Sequence, residues 1–369
     1  MIRIARVELR RVTLPLVHRF RTSSHAKRSL EHILVRLEAG DGSVGWGEIA
    51  SPSGPFYSAE TVSSCWAVAR DFLTPIVLGA SWEHPSELAA ATAKVRGNHF
   101  ARAGFDVAAW SLWSGRSGIA LSRALGGTLP QVEAGVSLGI EPTVDDLLAQ
   151  VAARVAEGYR RVKLKIAPGW DVVPVRAVRD AFPAVPVHVD ANGAYTDPDD
   201  PVLTELDTLG LLMIEQPFAP RDLVAHAALQ ARIGTPVCLD ESVEEVADLV
   251  TALRLGAGRV LNIKVSRMGG LTAAVRAHDL ARAEGMPVWC GGMHEFGIGR
   301  AANVALSSLP GFTMPSDVSG SDKYYARDVT TRPIVSTGGL VEVPATPGLG
   351  WEPDLAFIES QTVDALRLP

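Results

Sequence analysis

The sequence predicts an α/β fold, a (β/α)7–8 barrel of the TIM type preceded by an α+β capping domain. Three observations carry that prediction. Lys165, Asp190, Glu215, Asp240 and Lys264 recur at steps of 25, 25, 25 and 24 residues. Each ends a short apolar run: RVKLK, VPVHVD, LLMIE, PVCLD and VLNIK. Before about residue 130 that rhythm is absent. One strand and one helix per step is the layout of a parallel barrel, and charges ending successive strands meet at one mouth.

The first module is assigned to 1–125. IARVELRRVTLPL alternates in part, as a strand does, and HILVRLEAGDGSVGWGEI reads as a hairpin turning at Asp41-Gly42. Between them His18 to Arg28 is polar and basic and reads as a loop. Ala50 to Tyr57, with Pro52, Gly54 and Pro55, reads as a second loop. A helix follows, with Phe100, Ala103, Phe105, Val107, Ala108, Leu112 and Trp113 on a largely apolar 3.6-type pattern. The barrel is assigned to 126–324. VEAGVSLGI is its first strand, followed by a helix from Thr143 as N-cap to Gly158 beyond its end. The strand–helix alternation then runs through VLNIK, with PVWCGG as seventh strand and FTMPSD as the last. The stretch 325–369 breaks the rhythm and is expected to complete the first module.

A chain of 369 residues exceeds one ordinary core, in keeping with two domains. The net charge of −6 and the lack of a long basic run argue against a nucleic-acid partner. No apolar stretch approaches 18 residues, and the mixed MIRIARVELRRV start lacks the core of a signal peptide. No membrane association is expected. Cys65, Cys238 and Cys290 are odd in number and not in metal-ligand spacing, which reads as reduced thiols in a cytoplasmic protein.

Three carboxylates converging at the mouth, Asp190, Glu215 and Asp240, repel one another unless a cation lies between them. All-oxygen ligation without His or Cys favours Mg²⁺ over Zn²⁺. Lys163 and Lys165 are two apart on one strand and point the same way. An ordinary lysine is protonated at neutral pH and a poor base. A second ammonium with a cation nearby favours the neutral form. Lys264, with Arg267 three residues on, has a neighbour of the same kind, and Asn262 is expected to face the mouth. Strands two and six lie opposite one another in an eight-strand barrel, so Lys165 and Lys264 are expected to face each other across the metal. A small-molecule carboxylate held there has its α-carbon between two amines, and the metal stabilises the enediolate formed when the α-proton leaves. Return of the proton on the other face inverts the centre. Expulsion of a β-leaving group gives an alkene.

These residues resemble the enolase superfamily, in which Lys or His bases act beside Mg²⁺. The Lys-x-Lys pair opposite a lone lysine is similar to its muconate-lactonizing subgroup. FRTSS, GWGE, YRRVKLKIAPGWD, VDANGAY, IEQP, LDES, NIKVSRMGG, VWCGGM and GRAANVALSSLP resemble o-succinylbenzoate synthases and N-acylamino acid racemases along nearly the whole chain. The resemblance implies Asp190, Glu215 and Asp240 as Mg²⁺ ligands, with Mn²⁺ or Co²⁺ able to substitute. It implies Lys165 as the base on one face and Lys264 as second base or as a cation beside the intermediate. It implies two loops closing over the substrate, with Phe20, Phe56 and Tyr57 as its apolar wall. Ser137, Asn192, Gly291, Gly292 and Met293 are further substrate contacts, and the assembly is a homo-oligomer, an octamer. Dipeptide epimerase and muconate-type cycloisomerase chemistry stand as alternatives on the same scaffold. Two departures stand out, the first bearing on specificity and the second altering the strand end locally without removing Lys264. His294-Glu295-Phe296 follows GGM, so that Phe296 narrows the pocket and His294 either meets an acid group or points away, and Val265 stands where relatives often carry Pro.

Gly297-Ile298-Gly299-Arg300 opens a helix whose N-terminus suits an anion, but it is not a full nucleotide fingerprint and reads better as a turn. Trp82, Trp110 and Trp113 read as packing, and Trp289 as barrel lining. A metal-independent Schiff-base lyase through Lys165 or Lys264, a catalytically dead ligand-binding relative, and an acid-sugar dehydratase are the rivals. The dehydratase would need a His–Asp pair at strands six and seven, and Lys264 occupies the strand-six place.

Overall fold

A computed structural model describes residues 1–21 and 26–369; the side chains of 19–27 lie outside the described set. Two sheets organise it. The first is antiparallel and built from β1 (Ile2–Arg21), β2 (Ala26–Ala39) and β3 (Val44–Ile49), with the short β4 (Ser81–Trp82) at its edge. The β2–β3 turn falls at Gly40–Ser43, where Asp41 and Gly42 stand. The expected 18–28 loop overlaps paired strand, and 22–25 lie outside the described residues. After a register shift between Pro15 and Phe20, β1 and β2 pair again at Phe20–Lys27 and Arg21–Ala26, because cross-strand pairing decides these positions where local polarity does not.

Behind the sheet lie α1 (Val62–Val68), α2 (Thr74–Val77), α3 (Pro85–Thr92), α4 (His99–Arg116) and α5 (Leu121–Ala124). α4 is almost wholly buried. It approaches β3 so closely that a Cβ on Gly47 would stand 2.0 Å from the Gly104 carbonyl oxygen. The glycines of GWGE are therefore the condition for that contact.

The second sheet is parallel. β5 (Gln131–Glu133) precedes it, and β6 (Gly135–Leu138), β7 (Arg161–Lys165), β8 (Val187–Asp190), β9 (Ile214–Glu215), β10 (Val237–Leu239), β11 (Val260–Ile263) and β12 (Val288–Cys290) follow in spatial order. The intervening helices are α6 (Val144–Ala156), α7 (Val172–Ala181), α8 (Pro201–Asp207), α9 (Leu223–Arg232), α10 (Val246–Leu255), α11 (Leu271–Ala283) and α12 (Gly297–Ser307).

Two strand readings need correction. VEAGVSLGI is divided. Its first part, β5, pairs with β13 (Leu340–Glu342) in a separate two-stranded sheet, and only β6 belongs to the barrel. FTMPSD is not a regular strand. It closes the ring through single bridges, Phe312 to Val288 and Ser316 to Ala134, with Asp317 N donating to the Cys290 carbonyl. Pro315 has no N–H to extend that ladder. After α13 (Leu355–Gln361), β14 (Thr362–Leu368) pairs antiparallel with β1, so the chain ends on the first sheet.

Thr143 caps α6 by accepting from Asp146 N (3.1 Å), as read, and Gly158 follows the helix at φ +83°. Cys65, Cys238 and Cys290 are free and buried. No helix among the described residues is long and apolar enough to cross a membrane.

Candidate active site

The parallel register places the site. Lys165 pairs with Asp190, Asp190 with Glu215, and β10 and β11 bring Asp240 and Lys264 alongside. Asp190, Glu215 and Asp240 are fully buried, and one oxygen of each lies within 4.8 Å of the others. The basic residues flank this row of acids. Lys163 Nζ is 2.7 Å from both Asp190 and Glu215. Lys165 Nζ donates to Asp190 Oδ2 (2.5 Å) and Asn192 Oδ1 (2.6 Å). At the far end Lys264 Nζ donates to Asp240 Oδ2 (2.8 Å), and Arg267 to its other oxygen. Lys165 thus stands at the Asp190 end and Lys264 at the Asp240 end, with the Glu215 strand between.

The electrostatics follow from burial opposed by pairing. Burial alone would raise Asp190, but Lys163 and Lys165 outweigh it and hold the carboxyl well below the usual range. Asp240 is held at about 2, burial again being outweighed, here by Lys264 and Arg267. Glu215 in the middle is pushed up to about 8 by burial and then by Asp190 beside it. A carboxyl raised between two buried carboxylates is what a divalent ion would relieve, and an all-carboxylate donor set suits a hard one. The lysine expectation invokes a bound cation as well as a second ammonium. Burial would lower Lys163 and Lys264, but the carboxylates raise both above the ordinary lysine value, and the neighbouring ammonium does not reverse that. Lowering has to come from positive charge placed on the acids.

The site opens into a cavity of about 1040 Å³ lined by both sheets' connections. Phe56, Tyr57, Ser137, Asn192, Gly292 and Met293 line it, along with Lys163, Lys165 and Lys264. Phe56 is 65% exposed at its rim. Tyr57 does more than form an apolar wall, because its hydroxyl accepts from Lys264 Nζ at 2.9 Å. Asn192, at φ +47°, links Lys165 to Glu241 by donating to Oε1 at 2.8 Å.

Three expected substrate contacts are placed elsewhere. Asn262 is fully buried and donates to Glu215 Oε1 (2.8 Å), so it holds an acid where a substrate contact was expected. Gly291 lies against the Asn262 side chain and does not line the cavity. Phe296 is fully buried between the two sheets, 4.5 Å from the His32 ring and 5.2 Å from Tyr325, and does not narrow the pocket. The Phe20 side chain lies outside the described residues. His294 does line the cavity, stacked on Tyr324 at 4.9 Å.

Sequence reasoning missed several neighbours. Glu241, raised to about 7 by burial and then by Asp240, lines the cavity with Oε2 unpartnered. Its signal was adjacency to Asp240 in LDES. Beneath the acids, Arg161 is sealed in the barrel. It meets His188 (3.1 Å) and donates to Asp317 (2.6 Å), and His188 reaches Glu215 Oε2 (3.1 Å). A histidine two before Asp190, on the same face of an apolar strand, was the available clue. Trp289 packs under Arg161 at 4.6 Å.

Residues 146–357 match the family model described as enolase C-terminal domain-like. Residues 4–126 match the N-terminal domain of mandelate racemase / muconate lactonizing enzyme. The chain belongs to the enolase superfamily. This enolase-superfamily chain is 47% identical to an o-succinylbenzoate synthase of Geobacillus kaustophilus, over 98% of this chain and 96% of the relative. It is 45% identical to an N-succinylamino acid racemase of an Amycolatopsis species, over 98% of each. A solved structure of an enolase-superfamily member from Listeria innocua superposes with a TM-score of 0.97 at 34% identity, covering 100% of this chain and 99% of that one.

Proposed function

We propose that this protein removes the proton α to a carboxylate, as an o-succinylbenzoate synthase, an N-acylamino acid racemase, or both. The observation that carries the reading is the placement of Lys165 and Lys264 at opposite ends of the Asp190–Glu215–Asp240 row, inside one cavity. Asp190, Glu215 and Asp240 are the residues that would hold Mg²⁺, or Mn²⁺ or Co²⁺ in its place. A cation bound there supplies fixed positive charge to a carboxylate oxygen as the α-proton leaves.

The chain's own residues do the rest. Lys165 takes or gives the proton on one face of the α-carbon, and Lys264 faces the other. Lys163 balances Asp190 and Glu215. Asn192 orients Lys165. Phe56, Met293 and His294 bound the space for the acyl or side-chain portion, with Ser137 and Gly292 at the cavity's inner wall. One lysine suffices for loss of a β-leaving group, whereas racemisation needs both.

The relatives' names favour this over the scaffold's other chemistries: a muconate cycloisomerase of Rhodococcus opacus is only 27% identical, against 42–47% for several synthases and a racemase. A Schiff-base lyase is disfavoured because its chemistry gives the buried Asp190–Glu215–Asp240 cluster no role.

The test is activity of the purified protein on the cyclohexadiene precursor of succinylbenzoate and on N-acetyl and N-succinyl amino acids, with α-hydrogen exchange followed in D₂O. Activity is expected to vanish with EDTA and return with Mg²⁺. EDTA-resistant turnover with a borohydride-trapped lysine adduct overturns the reading. We also propose a homo-oligomer, an octamer, which sedimentation velocity at micromolar protein decides.

A further inference from the structure

The two lysines are held by different parts of the molecule. Lys165 has its partners within the barrel: Asp190, and Asn192, itself fixed by Glu241. Lys264 has one barrel partner, Asp240, whose other oxygen is taken by Arg267. Its remaining partner comes from the other sheet's connections. Tyr57 Oη accepts from Lys264 Nζ at 2.9 Å, and the ammonium sits 4.6 Å from the Tyr57 ring centroid. The same hydroxyl donates to Asp240 Oδ1 at 3.3 Å and accepts from Arg267 at 3.4 Å. Tyr57 belongs to a segment that the chain ties down on either side. Val62 N donates to the Pro52 carbonyl (3.0 Å), and the Glu60 carboxylate accepts from Phe100 N (3.0 Å) and Ala101 N (3.1 Å) at the start of α4. The hydroxyl is therefore delivered to the barrel mouth by a segment with its own anchorage.

From this geometry we infer that Tyr57 is the positioning residue of Lys264, so that the second lysine reaches its working place only when the 50–61 segment is seated. The inference rests on the proton-abstraction reading and deepens it. A long, flexible ammonium chain with a single fixed partner explores many rotamers; a hydroxyl and a ring face together narrow them. The consequence is asymmetric. Loss of the hydroxyl weakens proton transfer on the Lys264 face and leaves the Lys165 partners in place. Chemistry needing both lysines suffers more than chemistry needing Lys165 alone.

The experiment compares the holoenzyme and Tyr57→Phe, loaded with Mg²⁺, by the rate of α-hydrogen exchange in D₂O from each enantiomer of one N-succinyl amino acid. The expected result is a change in the ratio of the two rates by about tenfold, the worth of one hydrogen bond to a charged group, with the slower enantiomer being the one whose proton faces Lys264. Phe56→Ala serves as comparison. It removes part of the cavity rim without touching Lys264, and both rates are expected to fall by the same factor. An unaltered ratio in Tyr57→Phe, whether the two rates fall together or not at all, overturns the inference. If the wild-type protein exchanges neither enantiomer and does not turn over the cyclohexadiene precursor of succinylbenzoate either, the proton-abstraction reading is what fails. Wherever exchange is absent, the positioning role is decided by crystal structures of both forms, and Lys264 Nζ unmoved in Tyr57→Phe overturns it.

Discussion

The helices after β6 to β10 and those after β11 and β12 begin in different ways. α6, α7, α8 and α9 each open on a side chain of their own: Thr143, Asp171, Asp200 and Asp222 accept from backbone N–H groups one to three residues on. α10 is served by Asp248, which accepts from Glu245 N (2.9 Å). α11 and α12 have no side-chain cap from their own N-cap residues, Gly270 and Phe296. Their free N–H groups are satisfied from the other sheet's side. Asp106 on α4 accepts from Thr272 N (2.9 Å) and from its hydroxyl (2.6 Å). Glu48 on β3 accepts from Phe296 N (2.8 Å) and Gly299 N (2.7 Å), with His32 Nδ1 2.7 Å away. A Cβ at Gly299 would crowd Glu48 and Glu295, so this close approach depends on glycine. One part of the barrel is completed by its own sequence, and the other is completed by the first module. The chemistry divides along the same line. Lys165 is oriented within the barrel, while Lys264 leans on Tyr57.

Breaking the self-contained part is expected to cost function first. Lys165→Ala removes the proton carrier, and Lys163 remains to neutralise Asp190. Exchange of the α-hydrogen in D₂O is expected to fall about a thousandfold or more, within the range for loss of a general base, while the urea midpoint changes far less. Retained exchange would place the base elsewhere.

Breaking the borrowed part is expected to cost the fold first. Glu48→Ala strips an acceptor from two N–H groups and His32, all buried. A loss of about 2–4 kcal/mol is expected, from unsatisfied donors and the cavity left behind. Activity is expected to fall with it, because 292–294, which line the cavity, run directly into α12. Chemical denaturation checks the first effect. A variant as stable as wild type would show that α12 does not need its borrowed cap.

How much of this the sequence disclosed follows from the range of the interactions. The five strand-end charges were legible because parallel register turns a 25-residue period into neighbours in space, and Thr143 was legible because capping acts over three residues. Glu48 was not, since nothing in GWGE tells that its carboxylate will sit on a helix some 250 residues later. Gly297–Arg300, read as a turn, is the first turn of α12, and its N-terminus meets that carboxylate and Asp328, which accepts from Gly297 N at 2.8 Å. Phe296 was misread for the same reason. Its sequence neighbours belong to the cavity, but its partners, His32 and Tyr325, come from distant segments. FTMPSD had strand spacing but not strand hydrogen bonding.

Asp106 sharpens the comparison through pH. Burial pushes its carboxyl up to about 6, against the lowering effect of its Thr272 hydrogen bonds and Arg102. A carboxyl raised above its unfolded value binds its proton more tightly in the native state. Its contribution is therefore fully present below about pH 4 and lost as pH rises through 6, a swing on the order of 2–3 kcal/mol. Asp106→Asn removes the titration. The stability of wild type relative to the variant, measured in urea at fixed pH, is expected to be greatest near pH 4 and to fall by pH 7. A gap constant with pH would mean that Asp106 titrates normally.

The smallest effect belongs to a cap that is both local and exposed. Thr143→Ala removes one acceptor at the start of α6, and the freed Asp146 N–H can turn to water, so the expected loss is about 1 kcal/mol or less. Neither Thr143 nor Asp146 lines the cavity, so exchange in D₂O is expected to stay at the wild-type rate. Set beside Glu48→Ala, this pair measures what it is worth for a helix to be capped from another module: one hydrogen bond in water at α6, against a buried carboxylate, a histidine and the seating of two sheets at α12. Equal losses at the two sites would erase the distinction between the barrel's self-contained and borrowed parts.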